Sequence, residues 1–439
     1  MIRKSAVLAL LTVTLAGIVV AQDKGDSHKG IPHLDHVFII MMENHGYQQI
    51  INNPNAPYLN GLIASKKVNL ATNYFAVGHP SLTNYLEIVG GSNFGVRSDN
   101  NPDWHNATCS PNLATGAVNA DNYGGNPPSN ITVQGGPVCP IAGVGTDADT
   151  PAVDNWNEVN PPLFNYLADI DGLKSVPASK TIEGKTIADQ LVHAGLSWKS
   201  YQEDLPLSGA DGVNWTSENG TVSNLTNFTN LAPITSASVV QTYAAKHNPF
   251  AYFKNVQDGT LWNDGLSNVV GFDGPRGLYT DLGSGNVPSF AFIAPSQCHD
   301  DHGRGNGDAF CAYDGTTDGT QTGLNPGLIQ QGDVTIQKLV ETIKSSPVWH
   351  EGRAAIVIVW DENDYSGVAT APIGLFPAQN QNSVVLTVEP NYESAGVQSS
   401  TYYNSFSLLR SIEAGFGLPC LNHACDKSVA VMSDLFGGH

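Results

Sequence analysis

Along the chain, short continuous apolar runs alternate with stretches of helical periodicity. The runs cover 36–42 (HVFIIMM), 68–76 (VNLATNYFA), 197–202 (SWKSYQ), 289–294 (SFAFIA), 354–360 (AAIVIVW) and 383–388 (SVVLTV). Several are apolar at every position instead of every second one, the pattern of strands buried on both faces. Helices are expected between them at 57–66, 81–89, 186–194, 334–345 and 405–414. In VTIQKLVETIKS the spacing places Val334, Ile336, Leu339, Val340 and Ile343 on one face. Alternation of this kind predicts an α/β fold, a sandwich of helices around a mainly parallel sheet.

Two segments break the pattern. The stretches 92–180 and 206–236 are rich in Gly, Asn, Pro and Asp and show little periodicity. Neither has enough apolar residues for its own core, so both are expected to be long irregular surface insertions. At the start, Arg3 and Lys4 precede the apolar stretch from Ala6 to Val20, and Val19-Val20-Ala21 forms a small-residue cleavage site. The expected organisation is a signal peptide over 1–21 and one domain over 22–439. No second run is long and apolar enough to span a bilayer. The mature chain is therefore expected to be secreted or periplasmic, with no stable membrane anchor.

Composition narrows the partners. Asp and Glu number 40 against 20 Lys and Arg, a net charge of −20 over 439 residues. Loss of Arg3 and Lys4 with the signal would take this to −22. Such a field argues against nucleic acid and anionic membrane. An anionic substrate would need a local cation to offset it. The 6 cysteines suit an exported chain. Pairing of sequence neighbours is expected: Cys109 with Cys139, Cys298 with Cys311, and Cys420 with Cys425. Sequons, the acceptor motif of a glycoprotein, stand at Asn106, Asn130, Asn214, Asn219, Asn224 and Asn227, and the last four mark their segment as exposed whether or not sugars are attached.

The chemistry gathers where apolar runs end. Strand 36–42 runs into Glu43-Asn44-His45, strand 197–202 into Glu203-Asp204, and strand 289–294 into a loop holding His299-Asp300-Asp301-His302. Strand 354–360 ends on Asp361-Glu362-Asn363-Asp364. In an open parallel sheet, ligands bind beyond the carboxyl ends of the strands. Four acidic ends converging there would repel one another, and a bound cation would remove that cost. Carboxylate and amide oxygens favour Mg²⁺, Ca²⁺ or Mn²⁺. A contribution from His299 or His302 would admit Zn²⁺. Ser81 follows His79-Pro80 at a strand-to-helix junction, where free backbone N–H groups and the helix dipole favour an anion such as phosphate. No G-x-S-x-G elbow occurs, and Gly184-Lys185-Thr186 lacks the Gly that a nucleotide loop needs at 179, which is Ser179. The acidic 314–318 loop is a weak calcium signal.

Several stretches together carry a resemblance. "MMENHGYQQI", "APYLNGLIAS", "ATNYFAVGHPSLTNYLEIVGGS", "SWKSYQEDLP", "HNPFAYF", "VWDENDY" and "FSLLRSIEAGFGLP" look like the bacterial and fungal phosphoesterase family. That family holds secreted acid phosphatases and phospholipases C, within the alkaline phosphatase superfamily. The likeness runs from about 34 to 420, and "HNPF" and "YQED" lean toward the acid-phosphatase branch. It implies a three-layer alkaline-phosphatase-like sandwich and a metal-dependent phosphomonoesterase acting on a small phosphorylated substrate through a phosphoserine. By this resemblance Glu43, Asn44, Ser81, Asp361 and Glu362 would bind one divalent metal, with Ser81 also the nucleophile. His302 and His247 would face the phosphoryl group, either of them the acid. His79, His299 and Glu203 are expected beside the substrate. Two family histidines are missing: the corresponding places read Gln381-Asn382-Ser383 and Ser405-Phe406-Ser407. This departure bears on a second metal and on activity itself. A phospholipase C-type diesterase and an inactive secreted binding glycoprotein are the competing expectations.

Overall fold

The computed structural model describes residues 30–78, 81–94, 96, 182–205, 243–259, 265–303, 326–363 and 383–437. The signal segment, nearly all of the 92–180 insertion, the 206–236 insertion, the 314–318 loop and His79 lie outside these residues.

Ten strands are present among them: β1 His36–Met42, β2 Asn69–Ala71, β3 Tyr74–Phe75, β4 Trp198–Gln202, β5 Val269–Gly271, β6 Phe290–Ala294, β7 Ala354–Trp360, β8 Leu386–Pro390, β9 Gln398–Ser399 and β10 Tyr403–Asn404. Eight form one sheet in the order β5-β4-β6-β1-β7-β8-β2-β9. The five strands from β5 to β7 run parallel, and β8 is antiparallel to both β7 and β2. The mainly parallel α/β fold read from the sequence is the one observed. Every residue of β6 and β7 is buried, and β1 is buried after His36, as continuous apolar runs demand.

The run at 68–76 is not one strand. Its two halves belong to different sheets, β2 in the large one and β3 paired with β10. Apolar content marks both halves as buried but does not encode a change of sheet. The short β5 and the helix Leu278–Ser284 were not expected. Nor were the short helices Tyr47–Ile50, Lys254–Asp258 and Val348–Glu351, whereas Pro57–Ala64, Ser81–Gly90, Ile187–His193 and Ser405–Phe416 fall where periodicity put them. Helix Pro326–Ser345 begins earlier than expected, and its Val334 faces solvent at 36% exposure while Ile336, Leu339, Val340 and Ile343 are buried. Val334 lies about 200° around the helix from Ile336, beyond the edge of the buried stripe.

Helices pack on opposite faces of the sheet. Ile39 of β1 is in register with Phe292 of β6, and Tyr85 of helix Ser81–Gly90 meets Phe292 edge-on at 5.9 Å. Met42 points to the other face by strand alternation. There helix Pro326–Ser345 comes so close that a Cβ on Gly332 would lie 2.9 Å from Met42 Cε and collide with Asp301 Oδ1. Asp333 on the same helix accepts from the amides of Tyr58 and Leu59, at 2.7 and 2.9 Å, and so caps helix Pro57–Ala64 across the chain. Cys420 and Cys425 form the expected disulfide just beyond helix Ser405–Phe416. Cys298 is also disulfide-bonded, with its other half outside the described residues.

Candidate active site

Three loops leave the carboxyl ends of β1, β6 and β7 and are stitched together by backbone hydrogen bonds. Glu43 N–H donates to the Asp300 carbonyl at 2.8 Å, and Asp361 N–H donates to the Met42 carbonyl at 2.9 Å. Glu43 is thereby set between the loop after β6 and the loop after β7. Asn44 turns the chain in the left-handed region, φ 54°. In that conformation its N–H donates to Asp361 Oδ1 at 3.1 Å, an oxygen that also accepts the Glu362 N–H at 2.6 Å.

Ser81 is the first residue of its helix and is fully buried. Its Oγ lies 3.1 Å from Glu43 Oε2 and 3.2 Å from Glu362 Oε1, so the hydroxyl proton has a carboxylate on either side. One turn along the same face, Asn84 organises the approach. Its Oδ1 accepts from Val77 N–H and Gly78 N–H, at 3.2 and 3.0 Å. Its Nδ2 donates to the Gly78 carbonyl at 2.8 Å and to Glu362 Oε2 at 3.1 Å.

Opposite Glu43 stands His247. Its Nε2 is 3.0 Å from Glu43 Oε1, off hydrogen-bond alignment, so the contact is electrostatic, and its Nδ1 is 3.3 Å from Asp300 Oδ2. The ring stacks flat on Tyr85, centroids 5.2 Å apart and planes 6° from parallel. Burial opposes charge on His247, yet the Glu43 and Asp300 carboxylates raise it to about 9. Burial likewise opposes charge on Glu43. The His247 imidazolium, with Lys246 and His302 behind it, outweighs burial and holds that carboxyl down at about 2.

His302 Nδ1 is 2.7 Å from the Gly303 carbonyl and so carries the proton there. Its Nε2 is left as an acceptor, 3.4 Å from Lys246 Nζ. Lys246 Nζ is also 3.4 Å from Ser81 Oγ. Glu203 and His299 form a separate buried pair, Nδ1 to Oε2 at 2.8 Å, and Glu203 Oε2 also takes the Ser296 N–H at 2.9 Å. That pair fastens the loop after β6.

Asp361 differs from Glu43. Its Oδ2 is buried with no hydrogen-bond partner. Burial pushes this carboxyl well above its usual value, and the Glu43 and Glu362 carboxylates push it further. Among the described residues no group of three His, Cys, Asp or Glu side chains is already arranged to hold a metal. The donors that meet here (Glu43, Ser81, Asp361 and Glu362) are nonetheless all oxygens, and the orphaned Asp361 Oδ2 is a ligand atom with nothing to bind. That set, with a buried Asp361 oxygen left free of hydrogen bonds, fits a hard divalent cation in kind.

Glu43, Asn44, Ser81, His247, His302, Asp361 and Glu362, all singled out from the sequence, converge. Asp300, named in the acidic loop after β6, joins them, and Lys246 and Asn84, which were not among the expected site residues, complete the cluster. A lysine inside the aromatic stretch YAAKHNPFAYF was the available signal for Lys246.

The phosphoesterase family model matches residues 51–312 and 319–419, which include Ser81, His247, His302, Asp361 and Glu362. A probable acid phosphatase of Kluyveromyces lactis is 24% identical over 284 residues, 62% of this chain and 53% of the relative. An acid phosphatase of Aspergillus fumigatus is 22% identical over 385 residues, 88% of this chain and 55% of the relative. The chain thus spans about half the length of these curated relatives. A phosphonate monoester hydrolase structure from Agrobacterium radiobacter aligns over 92% of this chain and 78% of its own, with a TM-score of 0.43 and 9% identity. The extent of the family match identifies the chain as a member of the phosphoesterase family.

Proposed function

We propose that the chain is a secreted, metal-dependent phosphomonoesterase of acid-phosphatase type, with Ser81 as nucleophile and residues 22–439 as one catalytic domain. The observation that carries it is the Ser81 hydroxyl, at the first turn of a helix, held between Glu43 Oε2 and Glu362 Oε1. Its relatives named acid phosphatases and its family membership point the same way. Export is supported by the apolar stretch from Ala6 to Val20 and by the Cys420–Cys425 disulfide. No helix among the described residues is long and apolar enough to cross a membrane.

Glu43, Asn44, Ser81, Asp361 and Glu362 would hold the cation, which when bound would acidify the Ser81 hydroxyl and offset phosphoryl charge. Ser81 Oγ attacks phosphorus in line as its proton passes to a flanking carboxylate oxygen. A P–Oγ bond forms and the bond from phosphorus to the ester oxygen breaks. His302, once it has taken up a second proton from solvent on Nε2, would pass that proton to the departing oxygen and return to the neutral ring. His247 has both ring nitrogens against carboxylates, which makes it the residue that orients Glu43. Water then cleaves the phosphoserine, releasing phosphate and restoring the Ser81 hydroxyl.

The test is turnover of p-nitrophenyl phosphate by Ser81→Ala. As a nucleophile variant it loses activity by orders of magnitude with its fold intact. If Ser81 only caps the helix, the change costs about 1 kcal/mol of stability and little activity. Turnover of phosphatidylcholine with none of p-nitrophenyl phosphate would instead mark a phospholipase C-type diesterase.

A further inference from the structure

We infer that Lys246 contacts the substrate, its ammonium group holding a non-bridging phosphoryl oxygen beside Ser81 and favouring dianionic phosphomonoesters over monoanionic phosphodiesters. This rests on the phosphatase reading above and adds to it a residue and a basis for selectivity.

The Lys246 side chain is fully buried, at 0% exposure, among the largest such side chains in the molecule. A lysine is rarely placed so, because an ammonium gives up its hydration on burial. The position is nonetheless firmly built. The turn Ala245–His247 is tied to the carboxyl end of β4 on its far side, where Gln202 Nε2 donates to the His247 carbonyl at 3.1 Å. Ser200 Oγ meets Asn248 Oδ1 at 3.3 Å, and Asn248 Nδ2 donates to Tyr243 Oη at 3.1 Å. Those bonds hold Tyr243, His247 and Asn248 around Lys246, so the charged group has a fixed origin.

The ammonium reaches the reaction centre. Nζ lies 3.4 Å from Ser81 Oγ and 3.4 Å from His302 Nε2. A phosphorus atom approached by Ser81 Oγ would stand about 3–3.5 Å from it. Its non-bridging oxygens would then fall within reach of a group already at 3.4 Å from the same Oγ. A hydroxyl and a ring nitrogen are neutral acceptors, and a phosphoryl oxygen is a stronger partner for an ammonium. Such a fixed charge in a site shut off from water stabilises developing negative charge without reorganisation.

Selectivity follows from charge. A monoester brings two negative charges near neutrality and a diester one. Glu43, Asp361 and Glu362 already crowd the site, so the second substrate charge needs a cation of its own. Lys246 provides it within the chain, independently of any bound ion.

The test compares wild type with Lys246→Met and Lys246→Gln, each shown folded by circular dichroism. Bound metal is measured for each, and kcat/KM for p-nitrophenyl phosphate and bis(p-nitrophenyl) phosphate. Calorimetry gives the affinity for inorganic phosphate. Losing one preorganised charge predicts a fall of about 100-fold or more on the monoester and less than about tenfold on the diester, with metal content unchanged. Phosphate affinity falls in parallel with the monoester rate. Equal losses on both esters, phosphate affinity that does not change, or loss of metal in step with activity would overturn the inference. Two variants guard against one failing to fold. If wild type hydrolyses neither ester, the phosphatase reading fails, and phosphate binding alone then decides the role of Lys246.

Discussion

Two carboxylates brought to the Ser81 site by different strand ends, Glu43 after β1 and Asp361 after β7, live in opposite electrostatic worlds. On the β1 side, Glu43 is matched by His247, with Lys246 and His302 nearby, and stays ionised far below its usual range. On the β7 side, Asp361 has an oxygen with no partner, and burial together with the Glu43 and Glu362 charges drives it toward protonation. The first half of the site is balanced by the chain itself. The second half is not, and that imbalance is the physical case for a bound cation. Carboxylates adjacent in space therefore predict opposite consequences when removed.

The largest contrast is in stability. Glu43→Gln takes the counter-charge from a buried imidazolium and a buried ammonium, and should cost about 3–5 kcal/mol in the metal-free protein. Asp361→Asn removes a carboxyl that folding forces to stay neutral, so stability of the metal-free protein should be unchanged or higher, within about 1 kcal/mol. Both variants should lose activity by about 100-fold or more. Urea unfolding in chelator and turnover with added divalent cation measure the two effects separately. Matching losses of stability would erase the distinction drawn here.

Chelation sharpens the same point. Adding a divalent cation to stripped wild-type protein should raise its melting temperature by linkage and restore turnover. In Asp361→Asn the melting shift should be largely lost. A full shift in that variant would place the ion elsewhere.

A smaller effect separates the site from the loop that carries it. Burial opposes charge on both Glu203 and His299, yet each holds the other ionised, so the Glu203 carboxyl lies below its ordinary value and the His299 ring above. The Glu203 contribution is present above about 4.3 and fades as pH falls through its lowered value. The His299 contribution is full below about 6.5 and fades as pH rises through its raised value. Glu203→Gln should therefore be most destabilising between those limits, and less so toward either extreme. Unfolding free energy measured against pH decides it, and a flat difference would deny the pair its charge.

How much of this was readable in advance depended on range. Strands β1, β4, β6 and β7 were legible because continuous apolar runs have few other uses, and their polar ends pointed to the site through the topology of a parallel sheet. Ser81 and Asp361 followed from that placement. Lys246 was legible only faintly, as a lysine inside an aromatic stretch, because its burial arises from the turn Ala245–His247 packing on helix Ser81–Gly90 and being tied to β4. Asn84 was hidden for a similar reason: its bonds to Val77, Gly78 and Glu362 join segments 278 residues apart at the widest. Val334 misled because a stripe of apolar residues does not show where its own edge falls. The split of 68–76 into β2 and β3 turned on which partner strand each half met, β8 and β9 or β10.

In the proposed reaction Ser81 Oγ becomes phosphorylated during turnover. Acid quenching during the first turnovers of p-nitrophenyl phosphate, followed by peptide mass spectrometry, tests it directly. Phosphate should appear on the peptide carrying Ser81 and be absent from Ser81→Ala and from protein quenched without substrate. Rapid turnover with no phosphate on that peptide under any quench, or phosphate on another residue, would contradict it.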